Sequence, residues 1–479
     1  MHPLFRFRSL FAVLFLWLSS FSKVWASHAL GADITYEYVG TTANPNQYRV
    51  TARLFRDLSS VVTDPYLTLS CGRNGCSTTT LGGFTSVLPR TGTAMVSATC
   101  NSTSINYELS TYDGIVQLPP ASWTLSIDMQ NRANDVVNIA NSYAQSIFVK
   151  AELNNTSGLI NSSPRFLVDR LIQLTTSQAQ QHYSIGAFDS DGDSLVYQLV
   201  QPLASPTPTA SCGTPTTGAI APHFQANAAT GELVTVAGPT QQGRYALAGR
   251  VDEYRRRNGT WQLIGSITRD MTYFVLAGTN QVPVFTRVAL ASAPSGQLLG
   301  QTIRVNPGQL LSLRLTATDP DAGQTLALSS GLPGIVPGVT FQDLGGGQAQ
   351  LNWQVPATLP PSRYQLAVTA LDNYCVVPAF TVATVSVLVT QQVLGTRTRQ
   401  PLAQQPFPMP FQDEVCFQFA GVGTQPVIIA DEMGRTVAQL TSAIDGKVVW
   451  RPTSHLAAGF YFARNQAGSQ VARLAYTGH

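Results

Sequence analysis

The sequence contains little charge and very little lysine. Charged residues make up 11% of the 479 residues, and only three of the 29 basic residues are lysines, at Lys23, Lys150 and Lys447. Soluble proteins usually contain about 25% charged residues. Hydrophobic residues nevertheless reach 44%, so we expect folded domains with polar, neutral surfaces rather than disorder. A chain of this length is predicted to hold three or four domains.

The chain also lacks an excess of positive charge. The formal net charge is +3, but Arg6, Arg8 and Lys23 precede residue 27, which leaves 29 − 3 = 26 basic residues against 26 acidic residues in the rest of the chain. Nucleic-acid binding needs a basic surface, and a balance of zero does not supply one. We therefore expect no nucleic acid among the partners.

The first 26 residues have the pattern of a secretory signal peptide. Arg6 and Arg8 precede an apolar run at 10–18, and Ala26 supplies a small residue for cleavage before Ser27. The run is too short to cross about 30 Å of hydrocarbon, and no later segment approaches that length. The sequence therefore predicts an exported protein with no transmembrane span in the mature chain.

Six cysteines are present, and export would place them in a compartment that permits disulfides. Cys71, Cys76 and Cys100 lie in one predicted domain, so we expect one bridge among them, with a connectivity that the sequence does not determine. A zinc site is the weaker alternative, because no second cysteine pair or nearby histidine accompanies them.

Short alternating runs indicate an all-β chain. Residues 34–39 and 48–55 alternate between apolar and polar side chains, and the turn sequence Asn44-Pro45-Asn46 separates them, which predicts a hairpin. Residues 254–261 predict a second hairpin with a type I′ turn at Asn258-Gly259. Its three arginines at 255–257 are typical of a solvated strand, although they could bind an anionic polysaccharide. Tyr254 and Trp261 could stack on sugars or cover a core edge.

The middle of the chain is internally repeated. Asp189-Ser190-Asp191-Gly192-Asp193 recurs as Asp319-Pro320-Asp321-Ala322-Gly323, and each copy is followed by a tyrosine-led strand that ends in an acid, at 245–252 and 364–372. A repeat of roughly 120 to 130 residues with short strands indicates tandem β-sandwiches. These features resemble the cadherin-like and immunoglobulin-like repeats of bacterial surface proteins.

Two further stretches resemble parts of exported Bacteroidetes proteins. The segment from Ser27-His28-Ala29-Leu30-Gly31 through Asn161-Ser162-Ser163-Pro164 is similar to a lead module that often accompanies gliding and adhesion modules. Residues 406–479 resemble the type A C-terminal sorting domain of the type IX secretion system. That resemblance rests on Pro406-Phe407-Pro408-Met409-Pro410, on Asp431-Glu432-Met433-Gly434-Arg435 and on the segment 456–462.

The sorting-domain resemblance implies a seven-stranded β-sandwich and the type IX secretion machinery as a partner. It places the recognition features at five residues: Gly434, Arg435, Leu456, Gly459 and Tyr461. The sequence agrees with a sandwich, because Val415, Phe417 and Phe419 alternate with polar or small residues as one buried face requires. A plain C-terminal β-sandwich without a sorting role is the alternative.

The predicted organisation has six parts. They are a signal peptide at 1–26, an N-terminal β module at 27–165, a cadherin-like or immunoglobulin-like β-sandwich at 166–280, a second such sandwich at 281–392, a linker at 393–405, and the sorting domain at 406–479.

Asp189, Asp191 and Asp193 form a candidate calcium loop. Three carboxylates within five residues repel one another unless a cation lies between them, and Ca²⁺ takes about six to eight oxygen ligands. The loop is not an EF-hand, because Val200 occupies the twelfth position, where a glutamate should stand. Asp319 and Asp321 form a second candidate. The cadherin-like resemblance adds further possible ligands: Asp252, Glu253 and Asp372.

The alternative for both acidic turns is capping of backbone N–H groups by aspartate side chains, with no metal.

We expect an exported surface or secreted protein with an adhesion or interaction role and no catalysis. No Gly-x-Ser-x-Gly or His-Glu-x-x-His motif is present. A surface glycan or another surface protein is the expected ligand. The alternatives are a carbohydrate-binding or matrix-scaffold protein and, less favoured, a cryptic hydrolase whose paired carboxylates meet only in space.

Overall fold

A computed structural model describes most of the chain after residue 28. The described residues are 29–58, 64–74, 82–96, 105–176, 180–205, 215–236, 241–374, 378–390, 402–421, 423–432, 434–465 and 468–478. The signal peptide at 1–26, Cys76 and Cys100, and most of the linker at 393–405 fall outside these residues and stay predictions. The chain divides into two compact units between Gln391 and Gln392, and each is described by itself.

The described residues form 31 β-strands and two 3-10 helical turns, at Ser142–Ala144 and Leu332–Gly334, which confirms the prediction of an all-β chain. No helix within them is long and apolar enough to span a bilayer. The first sixteen strands are β1 Ala29–Tyr38, β2 Gln47–Asp57, β3 Tyr66–Arg73, β4 Phe84–Val96, β5 Tyr107–Gln117, β6 Ser122–Met129, β7 Ile147–Asn154, β8 Arg165–Phe166, β9 Gln173–Thr175, β10 His182–Ser184, β11 Ala187–Phe188, β12 Ser194–Val200, β13 Phe224–Ala226, β14 Glu232–Thr235, β15 Gly243–Arg257 and β16 Thr260–Leu276.

The remaining strands belong to the second repeat and the C-terminal unit. The second repeat contains β17 Val284–Leu290, β18 Thr302–Val305, β19 Leu310–Thr318, β20 Leu326–Ser329, β21 Val339–Gly345, β22 Gln348–Gln354, β23 Ser362–Asp372 and β24 Phe380–Val389. The C-terminal unit contains β25 Gln404–Phe407, β26 Val415–Gln418, β27 Pro426–Asp431, β28 Thr436–Thr441, β29 Lys447–Trp450, β30 Gly459–Asn465 and β31 Val471–Tyr476.

An eleven-stranded sheet joins the N-terminal module to the first repeat. Its order is β1-β2-β5-β4-β3-β6-β7-β16-β15-β12, and β9 pairs with β16. Because β1 also pairs with β16, through Gly31↔Met271 to Asp33↔Arg269, eight strands close into a ring. The boundary predicted between residues 165 and 166 therefore does not coincide with a break between sheets. The edge of β1 that does not pair with β2 pairs instead with β16, a strand from beyond that boundary.

A buried ion network lies where β1, β2 and β16 meet. Arg53 Nε donates to Asp33 Oδ1 at 2.9 Å, and Arg269 Nε donates to Asp33 Oδ2 at 2.9 Å. The Arg269 guanidinium also lies 4.0 Å from the centre of the Phe166 ring. Burial by itself raises the pKa of Asp33, but the charges of Arg53 and Arg269 outweigh it and lower that pKa below its ordinary value. The network ties the first repeat to the N-terminal module.

The second repeat is a sandwich of two four-stranded sheets, ordered β17-β19-β22-β21 and β18-β24-β23-β20. Alternation along β19 buries Leu311, Leu313 and Leu315, while Arg314 between them is exposed. Trp353 on β22 is fully buried in this core, and its indole N–H donates to Pro337 O at 3.1 Å. This element confirms the β-sandwich prediction.

The C-terminal unit has 3 + 4 = 7 strands in two sheets, ordered β25-β26-β29 and β28-β27-β30-β31. Val415, Phe417 and Phe419 are fully buried, as their alternation predicted, and they pack with Trp450 and Leu474. The seven-stranded sandwich predicted for this part of the chain is therefore confirmed.

Candidate acidic sites at the module junctions

The Asp189–Asp193 loop connects β11 to β12 and turns at Gly192. Gly192 has φ 77, in the left-handed region that glycine adopts without strain. Asp193 N–H donates to Asp189 Oδ1 at 3.0 Å, and Ser162 N–H donates to Asp191 Oδ2 at 2.8 Å. Side-chain capping therefore shapes the turn, as the metal-free alternative expects, but it uses only part of the carboxylate oxygens.

Asp189, Asp193 and Glu253 come together beneath this loop. Each offers a carboxylate oxygen, and these oxygens lie within 4.8 Å of one another. Asp189 is 2% exposed and Glu253 is 0% exposed, yet Asp189 Oδ2 and Glu253 Oε1 have no hydrogen-bond partner among the described residues. A buried polar atom without a partner costs about 1–3 kcal/mol, and more when it is charged. The cluster is thus incomplete as a hydrogen-bonded structure.

Arg255 on β15 contacts the same cluster from its solvent side. Its Nε and Nη2 donate to the two Asp193 carboxylate oxygens at 2.6 Å each, and Nη2 also donates to Asn161 Oδ1 at 2.6 Å. Nη2 lies 3.3 Å from Asp191 Oδ2. Arg255 thus pairs with Asp193 and Asp191, while none of its described hydrogen bonds or ion pairs goes to Asp189 or Glu253.

The pKa values of the three clustered acids are raised, chiefly by burial and also by neighbouring carboxylates. Burial raises the pKa of Asp189 to about 7, and the Asp193 carboxylate adds to the shift. Burial and the charge of Asp189 raise the pKa of Glu253 well above its ordinary value. Burial also raises the pKa of Asp193, although its hydrogen bond and ion pair with Arg255 oppose this. A further cation would favour the ionised form of all three groups.

The donor set fits Ca²⁺. Ca²⁺ binds oxygen at about 2.3–2.6 Å, so oxygens that all lie within 4.8 Å of one another can share one ion. Gly265 on β16 allows Tyr36 and Glu253 to approach the strand closely, because a Cβ at this position would lie 2.6 Å from Tyr36 Oη and 3.1 Å from Glu253 Oε1. The cluster thus offers three carboxylates to a cation, two of them with an oxygen that has no partner among the described residues.

The second repeat contains a similar cluster. Gln281 N–H donates to Asp321 Oδ2 at 2.8 Å, as Ser162 N–H does to Asp191 Oδ2. Asn280 Nδ2 donates to Asp372 Oδ2 at 2.9 Å, as Asn161 Nδ2 does to Glu253 Oε2 at 2.5 Å. Asp319 Oδ1 accepts from Asp321 N–H, two residues on, whereas Asp189 Oδ1 accepts from Asp193 N–H, four residues on. The two junctions therefore share part of their hydrogen bonding, but among the described residues only Asp189, Asp193 and Glu253 bring three carboxylate oxygens together.

The two clusters differ in an acid and in a donor, because Gly323 stands where the first cluster has Asp193 and Gln324 replaces Arg255. Gln324 Nε2 donates to Asn280 Oδ1 at 2.7 Å and to Asp321 Oδ2 at 3.2 Å, the position that Arg255 takes in the first cluster. The donor in this position of the second cluster is therefore a neutral amide and not a guanidinium. Asp319 Oδ2 is buried without a partner among the described residues, and burial raises the pKa of Asp319, as it raises that of Asp372 to about 6.

The structure sorts the predicted ligands. Asp189, Asp193 and Glu253 converge, whereas Asp191 lies at the rim, where it pairs with Arg255 and Ser162. Asp252, the neighbour of Glu253 on β15, instead contacts Arg250 and Gln198.

Arg255 is the residue that sequence reasoning missed, since its run was interpreted as a solvated strand. That interpretation holds for Arg256, which is exposed. The type I′ turn is confirmed by positive φ at Asn258 and Gly259.

Two of the three segments of the sorting-domain resemblance, 431–435 and 456–462, lie at adjacent strands. Gly434 has φ 78, and Arg435 Nε donates to Asp431 Oδ2 at 2.7 Å across this turn. Asp431 at the end of β27 pairs in register with Tyr461 on β30. Tyr461 is buried, with its hydroxyl donating to Ala457 O at 2.7 Å, while Gly459 is exposed and Leu456 packs at the edge of the core. The five residues thus lie near one end of the sheet.

Cys71 is a free cysteine buried on β3. Burial raises the pKa of its thiol to about 12, so the thiolate is scarce at neutral pH. Cys71 forms no disulfide with a described residue. Cys76 and Cys100 lie outside the described residues, so a bridge that involves them stays a prediction.

No protein-family model matches the chain, and no curated protein matches it. Solved structures with some likeness include the I9–I11 tandem of titin, with a TM-score of 0.13, 8% identity and coverage of 66% of this chain and 100% of that one. Human CDH23 EC21-23 gives a TM-score of 0.16 and 16% identity, with coverage of 65% of this chain and 99% of that one. The tandem Ig repeats of Dlar give a TM-score of 0.19 and 10% identity, with coverage of 47% and 98%. At these TM-scores the likeness carries no argument about fold or function.

Proposed function

We propose that this chain is an exported surface or secreted protein with an adhesion or interaction role, whose modules are held in fixed orientation by Ca²⁺ at the two acidic junction clusters. The buried Asp189, Asp193 and Glu253 cluster, with its two partnerless oxygens, carries the proposal. In the first cluster these three residues would hold the ion, and in the second Asp319, Asp321 and Asp372 would do so.

Bound Ca²⁺ supplies positive charge that neutralises the carboxylates. The protein's own residues explain why this would stiffen the junctions. Asn161 and Ser162 precede the first repeat and bond to Glu253 and Asp191 within it, and Asn280 and Gln281 stand in the same relation to the second repeat. An ion on either cluster would therefore fasten the incoming segment to the body of the next module.

Limited proteolysis of the mature chain with and without EDTA tests the stiffening. We expect chelation to increase cleavage at 159–164 and 278–283 and to leave the hairpin tip at 257–260 unchanged as an internal control. Equal cleavage at both junctions in either condition would contradict the proposal.

Catalysis is not part of the proposal. Asp252 and Glu253 are adjacent on β15, so their side chains point to opposite faces of the strand. Asp252 pairs with Arg250 Nε at 2.6 Å, while Glu253 accepts from Asn161. The hydrolase alternative would need an acid and a base that face one substrate, and this pair does not supply them.

For the export route we propose type IX secretion directed by residues 406–479, supported by the sequence resemblance and by the adjacency of two of its three segments, 431–435 and 456–462. Arg435 and Arg451 are matched for a test, because both are exposed, at 79% and 76%, and each pairs with one acid, Asp431 and Glu414. We expect deletion of 406–479 and Arg435→Ala to keep the chain inside the cell envelope, with Arg451→Ala exported normally. Export of the truncated chain, or equal export of the two variants, would overturn the assignment.

A further inference from the structure

A groove between the two repeats has the features of a ligand site. It encloses about 310 Å³ and lies beside the loop of the first acidic cluster. The residues of the first repeat that line it include Ser194 and Trp261, and those of the second repeat include Ser362 and Arg363. Ligand pockets have volumes of about 300–1,000 Å³, so this groove is suited to one or two small rings.

The groove offers one large apolar face. Trp261 on β16 is 60% exposed, and its indole N–H has no partner among the described residues. Burial of an indole is among the more favourable contributions that a side chain makes to folding or binding, so an exposed one in a concave site is available to a ligand. Its flat ring suits a ligand with a flat C–H face.

The polar groups around the indole are also free. The Arg363 guanidinium is exposed and has no ion-pair partner in the part of the chain that the structure describes. The Ser194 and Ser362 hydroxyls likewise make no hydrogen bond to described residues. Gln365 at the base of the groove is already engaged, since its Nε2 donates to Ala229 O and its Oε1 accepts from Ser386. The groove thus presents one cation and two hydroxyls around an aromatic plane.

We propose that this groove binds an acidic sugar unit of a polysaccharide, a uronate. The pyranose C–H face would stack on Trp261, the carboxylate would take the Arg363 guanidinium by a charge-assisted contact, and the ring hydroxyls would exchange bonds with Ser194 and Ser362. A neutral sugar leaves Arg363 unused, and an acidic peptide leaves the two hydroxyls and the flat indole poorly matched. The inference deepens the proposed interaction role, on which it rests, by naming its ligand class.

Affinity electrophoresis of the mature chain in gels that contain polygalacturonate, or its carboxyl-reduced form, tests the assignment. We expect retardation by the polyuronate alone. Trp261→Ala and Arg363→Gln are each expected to weaken binding about tenfold or more. Tyr143→Ala, at an aromatic residue that is also 60% exposed, and Arg314→Gln, at an exposed arginine on β19, are matched controls expected to bind as the parent does.

The outcomes separate this proposal from the proposed function. Absence of retardation, equal retardation by the carboxyl-reduced polymer, equal binding of poly-glutamate, or unchanged binding of Trp261→Ala would each overturn the uronate site. A Ca²⁺ titration of the chain without polymer reports on the junction clusters, so a failed groove with intact Ca²⁺ binding leaves the proposed function standing.

Discussion

Replacement of Asp189 by asparagine is expected to stabilise the first repeat when Ca²⁺ is absent. The amide oxygen of the new side chain can still accept the Asp193 N–H, so the substitution removes the charge and keeps the turn. The pKa of Asp189 rises from 3.8 to about 7 on folding. A pKa difference of one corresponds to about 1.4 kcal/mol, so ionising this buried carboxyl costs at most about 4 kcal/mol of folding free energy.

The direction of the pH dependence follows from the number of protons that the folded and unfolded states bind. Between pH 3.8 and about 7 the folded state holds a proton on Asp189 that the unfolded state has lost, so the free energy of unfolding falls as pH rises through this window. Below it both states are protonated, and above it the loss is complete. The Asp189→Asn variant lacks this dependence. In EDTA, the free energy of unfolding of the variant should therefore exceed that of the parent by almost nothing at pH 4 and by nearly the maximum difference at pH 8.

Hydrogen exchange measured in β12 and β15 is the suitable assay, because it reports the local free energy of opening in a chain of several modules. Saturating Ca²⁺ should remove or reverse the advantage at pH 8. Asp135→Asn is the matched control, since Asp135 is exposed and its φ of 57 suits asparagine equally well. An Asp189→Asn advantage that is absent at pH 8, or equal at pH 4 and pH 8, would refute the reasoning.

The buried charges and the buried thiol lead to three further predictions. Arg269→Met removes one of the two arginines that pair with Asp33, so the free energy of opening measured by hydrogen exchange in β1 and β16 should fall by about 1.5–3 kcal/mol, and unchanged exchange would contradict the role given to the pair. Arg255→Gln removes the positive charge that pairs with Asp193, so in EDTA the melting temperature of the variant should be lower than that of the parent and should recover with Ca²⁺. Equal melting temperatures of variant and parent in EDTA would contradict this role of Arg255. Cys71 should resist iodoacetamide at pH 8 until the chain is denatured, as judged by peptide mass spectrometry, and rapid labelling of the native protein would contradict its burial.

Local patterns predicted the strands and the acidic turns. Alternation at residues 48–55 and at Val415, Phe417 and Phe419 identified buried faces, and the Asp189–Asp193 spacing identified a loop with excess negative charge. These features depend on residues close in sequence, so the sequence alone was sufficient.

The closed ring and the composition of the cluster could not be predicted in the same way. Asp33 and Arg269 are 236 residues apart, and neither residue indicates that β1 pairs with β16. Glu253 and Arg255 are separated by two positions on β15, which places them on one face, but which face is buried depends on the pairing of β15 with β12 and β16. The sequence alone therefore predicts a solvated Arg255, and only the register of β15 places it at the cluster.

Calorimetric titration of Ca²⁺ into residues 27–479 tests the central claim most directly. The whole mature chain is required because residues 166–280 share a sheet with the N-terminal module. We expect saturable binding heat and a raised melting temperature, with at least one site lost in an Asp189→Asn, Glu253→Gln double variant. Absence of heat and of any melting shift in the parent chain, or an unchanged number of sites in the double variant, would contradict the account.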